Sequence, residues 1–219
     1  MILGSHNTMT YLKPRKWWMW FGKFIAKCQK LDYKQQYESG VRWFDLRISF
    51  PKDKNGNHEH PVFSHGLMDY KGSTPEEVLE YLNTKNDVYC RIVLEKGGEF
   101  ELDLFKFYVL QWMNTYSNLN VTQIAKKGQW VNILEPNSKN PSGLNDKYAS
   151  ANGYYPQYQN WPGVLRNKTW SGYIYDDLYP WVYAKLNNKK NIEKYKNQDI
   201  ILLIDFVKSE YKKYIKRNS

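Results

Sequence analysis

The sequence predicts an α/β fold with a mostly parallel sheet, organised as a single domain over residues 1–219. Short, nearly continuous apolar segments, typical of strands buried on both faces, alternate with longer segments in which apolar residues recur at helical spacing. Neither an internal repeat nor a low-complexity linker divides the chain. With 219 residues, of which 42% are hydrophobic and 17% aromatic, the chain can bury one large core.

Four strands are expected in the first half of the chain. Residues 2–5 form a short buried strand, and Val41–Phe50 forms a second, because β-branched and aromatic residues dominate the latter and a glycine precedes it. Val62–Ser64 is the third strand and Val88–Leu94 the fourth.

Three helices are expected between and after these strands. A helix over Arg15–Lys30 follows from apolar residues at three- and four-residue steps. Another begins at Thr74, a good N-cap, with Pro75 at the first helical position and acidic residues in the first turn. A third runs from about Phe100 to Tyr116.

The second half of the chain gives a weaker pattern. Residues 136–178 are rich in Asn, Gly, Pro, Ser and Tyr, and are expected to form long loops. The remaining expectations are strands at Val121–Ala125 and Trp130–Leu134, a helix at Trp181–Tyr195, an apolar strand at Ile200–Asp205, and a basic terminal helix or tail at Lys208–Arg217.

The charge of the chain restricts its partners. The net charge of +10 fits nucleic acid, an anionic membrane surface or an anionic substrate, and a Lys- and Asn-rich composition explains it equally well. Cys28 and Cys90 are far apart without paired spacing, so we expect free thiols. The sequence does not indicate an oligomeric state.

No apolar run approaches the roughly 18 residues that a membrane-spanning helix needs. The N-terminus shows no basic stretch followed by an apolar region, so no signal peptide is visible. The simple expectation is an intracellular chain with peripheral membrane contact, and a mature secreted chain with an added methionine would look the same.

Two histidines at strand ends carry the strongest chemical signal. His6 follows the first strand and His65 the third, and between them the second strand bears Asp45 and Arg47 on one face. Two imidazoles and a guanidinium suit acid–base chemistry on a phosphate, since one ring accepts a proton, the other donates one, and the arginine stabilises charge on phosphate oxygens. Each histidine alone would more often be a residue hydrogen-bonded to backbone or exposed in a turn.

The order and spacing of these residues resemble the X domain of phosphatidylinositol-specific phospholipase C. The resemblance covers residues 1–96, is weak from about 97 to 198, and returns in a closing strand at 199–207. It rests on Gly4-Ser5-His6-Asn7-Thr8, on Gln36–Gly40 leading into Arg42-x-Phe44-Asp45-x-Arg47, and on Ser64-His65-Gly66. The resemblance implies a single distorted parallel (β/α) TIM-like barrel, with the site at the carboxyl ends of its strands.

The resemblance also implies catalytic roles. His6 corresponds to the general base that deprotonates the inositol 2-hydroxyl, and His65 to the general acid that protonates the departing diacylglycerol oxygen. A base needs an orienting partner on its other ring nitrogen. Asp205 is the candidate because a closed barrel brings the first and last strands together, although it can equally cap a terminal helix.

The family binds phosphate either with Ca²⁺ or with an arginine. Asn7, Asp45 and Glu95 resemble three of four oxygen ligands of the Ca²⁺ enzymes, whereas Arg47 resembles the arginine that replaces the metal in bacterial enzymes. A fixed cation beside a Ca²⁺ site is electrostatically unfavourable. Catalysis without a cofactor is therefore expected, with Asp45 and Arg47 in the catalytic set and Glu95 anchoring Arg47 or Lys96. Ca²⁺ on Asn7, Asp45 and Glu95 is the alternative.

Two aromatic regions complete the candidate site. Three tryptophans, Trp17, Trp18 and Trp20, stand among lysines after the first strand and suit contact with an anionic membrane, while core packing competes for Trp17 and Phe21. In the aromatic stretch 154–181, Trp170 and Tyr173 are candidates for stacking on an inositol ring. Asn7, Glu95 and Lys96 are further candidates for substrate binding.

The resemblance predicts cleavage of phosphatidylinositol to diacylglycerol and inositol 1,2-cyclic phosphate. The first alternative is a barrel phosphodiesterase that acts with a metal on glycerophosphodiesters or lysophospholipids. The second is an inactive barrel that binds lipid headgroups or nucleic acid. An anionic phospholipid or inositol phosphodiester at a membrane surface is the expected partner, and nucleic acid is disfavoured.

Overall fold

The computed structural model describes residues 1–129, 131–138, 147–150, 153–156, 180–198 and 200–214. In these ranges the chain forms a mixed α/β fold. Its strands are β1 (Ile2–Ser5), β2 (Lys13–Pro14), β3 (Trp43–Ser49), β4 (Val62–His65), β5 (Met68–Lys71), β6 (Tyr89–Leu94), β7 (Asn120–Lys126), β8 (Lys147–Ser150), β9 (Gly153–Pro156) and β10 (Ile201–Ile204).

The helices lie between these strands. The α-helices are α1 (Lys23–Ala26), α2 (Tyr33–Glu38), α3 (Pro75–Asn83), α4 (Glu99–Thr115) and α5 (Pro180–Tyr195). Two 3₁₀ helices accompany them, an aromatic one at Trp17–Gly22 and a C-terminal one at Ser209–Tyr214. Among the residues that the structure describes, every helix is too short or too polar to cross a membrane.

A run of parallel strands forms the centre of the sheet, in the order β7-β6-β3-β1-β10-β8. β9 forms an antiparallel hairpin with β8. β4 pairs antiparallel with the end of β3, β5 pairs antiparallel with β4, and β2 pairs antiparallel with β5. The parallel pairing aligns the carboxyl ends of β1, β3, β6 and β10 at one edge of the sheet. Functional side chains of α/β proteins collect at this edge.

The sheet forms because its central strands are apolar on both faces. Every residue of β3 and of β10 is buried, as expected for strands with helices or further strands on each side. α3 begins where Thr74 accepts a hydrogen bond from the backbone N–H of Glu77 and the Glu77 side chain accepts one from Thr74, which satisfies two free backbone donors. The predicted strands at β1, β3, β6, β7 and β10 and the helices α3, α4 and α5 are confirmed.

The predicted helix over Arg15–Lys30 is wrong. The segment forms the aromatic 3₁₀ helix followed by the single turn α1, with Met19 as the buried side chain of the 3₁₀ helix. Trp17, Phe21 and Phe24 are 76%, 77% and 52% exposed, so the aromatic residues of the predicted stripe face outward, whereas Cys28 further along it is buried. The core role considered for Trp17 and Phe21 is therefore wrong.

The strand at Val62–Ser64 is confirmed, but it is antiparallel and belongs to a hairpin that the pattern did not indicate. β4 extends to His65, and the chain then reverses at Gly66 and Leu67 into β5. Gly66 has a φ of 59°, a left-handed conformation that glycine adopts without strain. Gly66 thus allows the sharp turn directly after His65.

Two expectations in the second half need correction, and the expected basic terminal helix or tail at Lys208–Arg217 agrees with the structure as far as Tyr214. Residues 131–134 form no strand, although Ile133 donates a backbone hydrogen bond to Ile124 at 2.9 Å; Trp130 lies outside the described residues. The stretch 136–178, expected as loops, contains the β8–β9 hairpin, because its tyrosines also suit strands. The basic C-terminal segment forms a 3₁₀ helix up to Tyr214.

A closed barrel is not shown. In the described part of the chain β7 pairs with β6 and β9 pairs with β8, and these two end strands do not pair with each other. The α/β class and the parallel centre of the sheet agree with the prediction. The predicted closure into a barrel is not seen, because the described sheet is open.

Close contact between β1 and β10 positions the site. Gly4 lies opposite Leu203, and an ideal Cβ at Gly4 would lie 2.5 Å from Leu203 Cδ2 and 3.3 Å from Ile201 Cγ2. The missing side chain therefore lets the two strands lie at their observed separation. Ser5 and Ile204, the next residues of the two strands, pair and present His6 and Asp205 side by side.

We expect Gly4→Ala to destabilise the protein by roughly 1–3 kcal/mol, because the added methyl group overpacks the contact with Leu203. Chemical denaturation measures the change. Leu203→Val in the Gly4→Ala background removes part of the obstruction and should recover part of the loss, as a double-mutant cycle would report. An unchanged unfolding midpoint in Gly4→Ala would contradict the packing argument.

Candidate active site

His6 and Asp205 form a pair at the ends of β1 and β10. The Nδ1 atom of His6 lies 2.9 Å from Asp205 Oδ1, and the Asp205 side chain is 2% exposed. Because a carboxylate accepts, His6 carries its proton on Nδ1 and presents the Nε2 lone pair to the site. The structure thus brings the predicted base and its predicted orienting residue together.

Gln29, which the sequence analysis missed, connects the two strand ends. Its side-chain amide donates to the backbone oxygens of His6 and Ile204, both at 2.9 Å. Its side-chain oxygen accepts from the backbone N–H of Val207 at 3.1 Å. A buried glutamine carries no signal in the sequence that would distinguish it from a surface residue.

His65 lies at the end of β4, with its Nδ1 atom 2.8 Å from the backbone oxygen of Ala26. This contact assigns the proton to Nδ1, so that Nε2 also faces the site as a lone pair. Burial, together with the nearby Arg47, lowers the pKa of His65 to about 4. In the free protein the ring is therefore neutral at neutral pH.

Asn7 joins the two histidines. Its side-chain Nδ2 lies 3.3 Å from His6 Nε2 and 3.1 Å from His65 Nε2, and its φ of 45° places the residue in the left-handed region. The backbone N–H of Asn7 donates to Asp45 Oδ2 at 3.0 Å. One amide group thus holds both ring lone pairs toward the same space.

Arg47 lies between two buried carboxylates. Its Nε and terminal NH2 are each 3.1 Å from Asp45 Oδ2, and its NH1 is 3.1 Å from Glu95 Oε2. The same NH2 lies 3.1 Å from His6 Nε2. Although burial opposes the charge, Asp45 and Glu95 raise the pKa of Arg47 further, so the cation is permanent.

Asp45 accepts from a second arginine. Arg91 pairs with Asp45 across β3 and β6, and its Nε donates to Asp45 Oδ1 at 2.7 Å. Burial alone would raise the pKa of Asp45, but Arg47 and Arg91 hold it well below its usual range. The sequence analysis missed Arg91 because its role depends on which strands are neighbours.

Glu95 also has a donor on each oxygen. Oε2 accepts from Arg47, and Oε1 accepts from the backbone N–H of Gly66 at 2.6 Å and from Lys127, a third residue that the sequence analysis missed. Although burial would raise the pKa of Glu95, Arg47 and Lys127 lower it. Of the two partners expected for Glu95, the structure shows Arg47; Lys96 instead binds Asp69 Oδ1 at 2.8 Å and the backbone oxygen of Leu67 at 3.2 Å.

This donor pattern does not fit Ca²⁺. All four carboxylate oxygens of Asp45 and Glu95 accept from protein donors, and the Arg47 guanidinium contacts both carboxylates. A calcium ion requires six to eight oxygen ligands and would have to displace a buried cation. The Asn7, Asp45 and Glu95 set is thus assembled in space, but around an arginine.

The aromatic residues have mixed outcomes. Trp170 and Tyr173 lie outside the described residues. Trp17, Trp18 and Trp20 are 76%, 51% and 48% exposed, with Lys16 over the Trp18 ring and Lys23 over the Trp20 ring. We call these three tryptophans with Phe21 the aromatic surface.

The aromatic surface is connected to the catalytic candidates. The segment ends in α1, whose last residue, Ala26, accepts the hydrogen bond of His65. An ideal Cβ at Gly22 would lie 3.1 Å from Met68 Cε, next to the turn that exposes Leu67 by 83%. The exposed apolar residues therefore flank the edge at which the histidines lie.

Two histidines, an arginine and an aspartate thus lie at one edge of the α/β sheet, as the resemblance to phosphatidylinositol-specific phospholipase C implies. No family model matches the chain. Its sequence is 24% identical over 160 residues to a 1-phosphatidylinositol phosphodiesterase of Listeria monocytogenes, a match that covers 67% of this chain and 47% of the relative. The match thus spans about half the length of that relative.

Solved structures agree. The phosphatidylinositol-specific phospholipase C from Listeria monocytogenes has a TM-score of 0.61 at 16% identity, covering 100% of this chain and 92% of the other. The enzyme of that name from Staphylococcus aureus has a TM-score of 0.54, covering 98% and 92%. The chain therefore contains a domain with the fold of phosphatidylinositol-specific phospholipase C, and its relatives are named as enzymes.

We expect the His65 imidazole of the free protein to titrate near pH 4, charged below that value and neutral above it, because burial disfavours the imidazolium. NMR of histidine ring signals, assigned with His65→Gln, measures the titration. Exposed His60 serves as the internal control. A midpoint near the ordinary value of about 6.5 would contradict the burial argument.

Proposed function

We propose that this chain is a single-domain phosphodiesterase of the phosphatidylinositol-specific phospholipase C type. It would cleave phosphatidylinositol to diacylglycerol and inositol 1,2-cyclic phosphate. The observation that carries the proposal is the convergence of the His6 and His65 Nε2 atoms on one Asn7 amide, beside the Arg47 guanidinium. Similarity to enzymes with this name supports the substrate class.

In the proposed reaction His6 acts as the base. Its Nε2 lone pair accepts the proton of the inositol 2-hydroxyl while that oxygen attacks phosphorus. Asp205 accepts from Nδ1–H throughout, which fixes the orientation of the ring and stabilises the imidazolium that forms. The substrate hydroxyl takes the place that the Arg47 NH2 group now occupies at His6 Nε2.

Arg47 stabilises the phosphate. Asp45 and Glu95 hold its guanidinium in place, so little rearrangement is needed when negative charge develops on the phosphate oxygens. Because this cation is fixed and the carboxylate oxygens are occupied, the proposed reaction needs no metal. The same arrangement disfavours a metal-dependent glycerophosphodiesterase.

His65 acts as the acid, which requires a proton on Nε2. Its low pKa in the free protein means that the bound phosphodiester must supply the stabilisation: an anion beside a buried imidazole raises the pKa of that imidazole. The protonated ring then gives its Nε2 proton to the diacylglycerol oxygen as the phosphorus–oxygen bond breaks. Asn7 can rotate its amide so that Oδ1, which is buried without a partner in the free protein, accepts from the protonated ring.

We further propose that the aromatic surface docks on an anionic membrane. Four large exposed aromatic side chains lie among Lys13, Lys16, Lys23 and Lys27, and a tryptophan ring with a nearby lysine suits the headgroup region of a bilayer. Asn7, Glu95, Lys96, Trp170 and Tyr173 remain proposed substrate contacts. The closed barrel also remains a proposal, supported by the unbroken parallel run from β7 to β8.

Assays of lipid and water-soluble phosphodiesters, each with and without chelator, test this proposal. Turnover of inositol phosphodiesters in chelator is the expected result. Metal-dependent turnover of glycerophosphodiesters would favour the first alternative. Binding of lipid without turnover would favour an inactive domain that binds lipid headgroups. Salt-sensitive affinity for nucleic acid without turnover would favour an inactive domain that binds nucleic acid.

His6→Ala and His65→Ala should each lower turnover at least ~100-fold, because each removes one of two required proton transfers. Binding to vesicles should change little. His60→Ala, at an exposed position, is the matched control and should keep full activity. Near-normal turnover in either of the first two variants would remove the proposed mechanism.

Arg47→Lys should lower turnover by roughly 100–1000-fold, since an ammonium cannot reproduce the planar fork that faces phosphate. This variant keeps the buried charge, so its melting temperature should stay closer to the parent than that of Arg47→Ala. Arg42→Lys, in a partly exposed ion pair, is the control. Full activity of Arg47→Lys, or loss of activity in chelator that Ca²⁺ restores, contradicts the arginine-based account.

Trp18→Ala and Trp20→Ala should melt like the parent, because both side chains are about half exposed. They should bind less well to vesicles of phosphatidylcholine and phosphatidylserine, and hydrolyse a water-soluble inositol phosphodiester normally. Trp181→Ala, also half exposed but on α5, controls for loss of a tryptophan. Early melting with unchanged vesicle binding would assign the two tryptophans to the core.

A further inference from the structure

Three potential metal ligands of different chemistry meet beside the candidate base. His6, Cys28 and Asp205 each offer one ligand atom, and these atoms all lie within 4.8 Å of one another. Cys28 is 3% exposed and Asp205 1%, whereas the His6 side chain is 25% exposed. The cluster is therefore enclosed on the Cys28 side and open to solvent through the imidazole.

The chain fixes Cys28 there with several backbone contacts. The N–H of Cys28 donates to Thr10 Oγ1 at 2.9 Å, and its backbone oxygen accepts from Phe206, next to Asp205, at 2.6 Å. Its thiol lies 3.4 Å from Asn7 Nδ2. The thiol also hydrogen-bonds to the Asp205 side chain, and it contributes to no step of the proposed reaction.

We propose that His6, Cys28 and Asp205 form a binding site for Zn²⁺ or a similar transition-metal ion. Nitrogen, thiolate and carboxylate are the ligands that Zn²⁺ uses, with bond lengths of about 2.0–2.3 Å. A tetrahedral ion with these bonds needs its ligand atoms roughly 3.3–3.8 Å apart. A separation of 4.8 Å is about 1 Å wider than this range, so small side-chain movements have to bring the ligand atoms together when the ion binds.

Asn7 provides an independent observation. Its Oδ1 atom is buried without a hydrogen-bond partner, although the residue is only 2% exposed and its amide contacts both Cys28 and His6. Rotation of the amide directs this oxygen to the cluster. It then serves as a fourth ligand or accepts from a water on the ion.

The metal binds at Nδ1 of His6. Nδ1 already lies 2.9 Å from Asp205 Oδ1, whereas Nε2 faces the Arg47 guanidinium at 3.1 Å, which repels a cation. As the Zn–N bond forms, the Nδ1 proton moves to Nε2. As the Zn–S bond forms, the thiol proton leaves to solvent, so that one proton is released per ion and no group is oxidised or reduced.

Metal binding thus inhibits the base. With the proton on Nε2, His6 donates there and cannot accept a proton from a substrate hydroxyl. This inhibition rests on the proposed function, whereas the binding itself does not.

Metal binding is measured first, on the whole chain without a polyhistidine tag. Calorimetry with Zn²⁺ in buffers of different ionisation enthalpy should report one ion and one released proton. Co²⁺ should give thiolate-to-cobalt absorption in the near ultraviolet. Cys28→Ser should abolish that absorption and weaken Zn²⁺ affinity by more than the roughly 10–100-fold that loss of an outer hydrogen-bond partner costs.

Cys90→Ser is the matched control, because Cys90 is fully buried on β6 outside the cluster and should leave metal binding unchanged. Melting temperatures show whether Cys28→Ser perturbs folding. If it does, the Zn²⁺ affinity of Cys28→Ala is measured instead. Zn²⁺ concentrations that inhibit the parent should spare the turnover of Cys28→Ser. Equal Zn²⁺ affinity in the parent and both Cys28 variants, or no binding to the parent, overturns the site whether or not the chain is a phosphodiesterase.

Discussion

The buried cation of Arg47 is the constraint on which the candidate site depends. Its guanidinium is 5% exposed and would be costly to bury without the carboxylates of Asp45 and Glu95. Those carboxylates are in turn held by Arg91, Lys127 and backbone N–H groups. Opposite charges from β3, β6 and the segment after β7 therefore stabilise one another, and they hold the group proposed to bind phosphate.

The histidines depend on this network through Asn7 and Gly66. The Asn7 backbone is held by Asp45, and the Asn7 amide lies between the two imidazoles. Gly66, directly after His65, donates to Glu95. Each histidine is thus connected by one residue to a carboxylate that also binds Arg47. The residues proposed for proton transfer and for charge stabilisation therefore share one hydrogen-bonded network, and the aromatic surface adjoins it through Ala26.

Much of this framework was predictable from the sequence. His6, Asp45 and Arg47 follow apolar strands or lie within them, and the parallel pairing of β1 with β3 brings them together. His65 also follows an apolar strand, but that strand is antiparallel to β3, so its position in the site did not follow from the same rule. His6 and Asp205 are close because the first and last strands pair with each other, and this pairing does not require the sheet to close into a barrel. The resemblance to one family supplied the expected arrangement of the strands, a barrel with the site at their carboxyl ends.

Other features were not predictable because they depend on tertiary neighbours. Arg91 and Lys127 look like any other basic residue until β6 is known to lie between β3 and β7. The aromatic segment repeats apolar residues at helical spacing, but Trp17, Phe21 and Phe24 are exposed, and periodicity alone does not distinguish a buried stripe from an exposed one. The β4–β5 hairpin likewise depends on a turn of two residues, Gly66 and Leu67, and so short a pattern does not by itself predict a hairpin.

The central claim is that a hydroxyl of the substrate, activated by His6, attacks its own phosphodiester. Phosphorus NMR of the first product formed from phosphatidylinositol, in chelator, tests this claim most directly. The account predicts that inositol 1,2-cyclic phosphate appears before any acyclic inositol phosphate, at a rate that falls with His6→Ala. An acyclic phosphate as the first product would show that water is the nucleophile and would contradict the account.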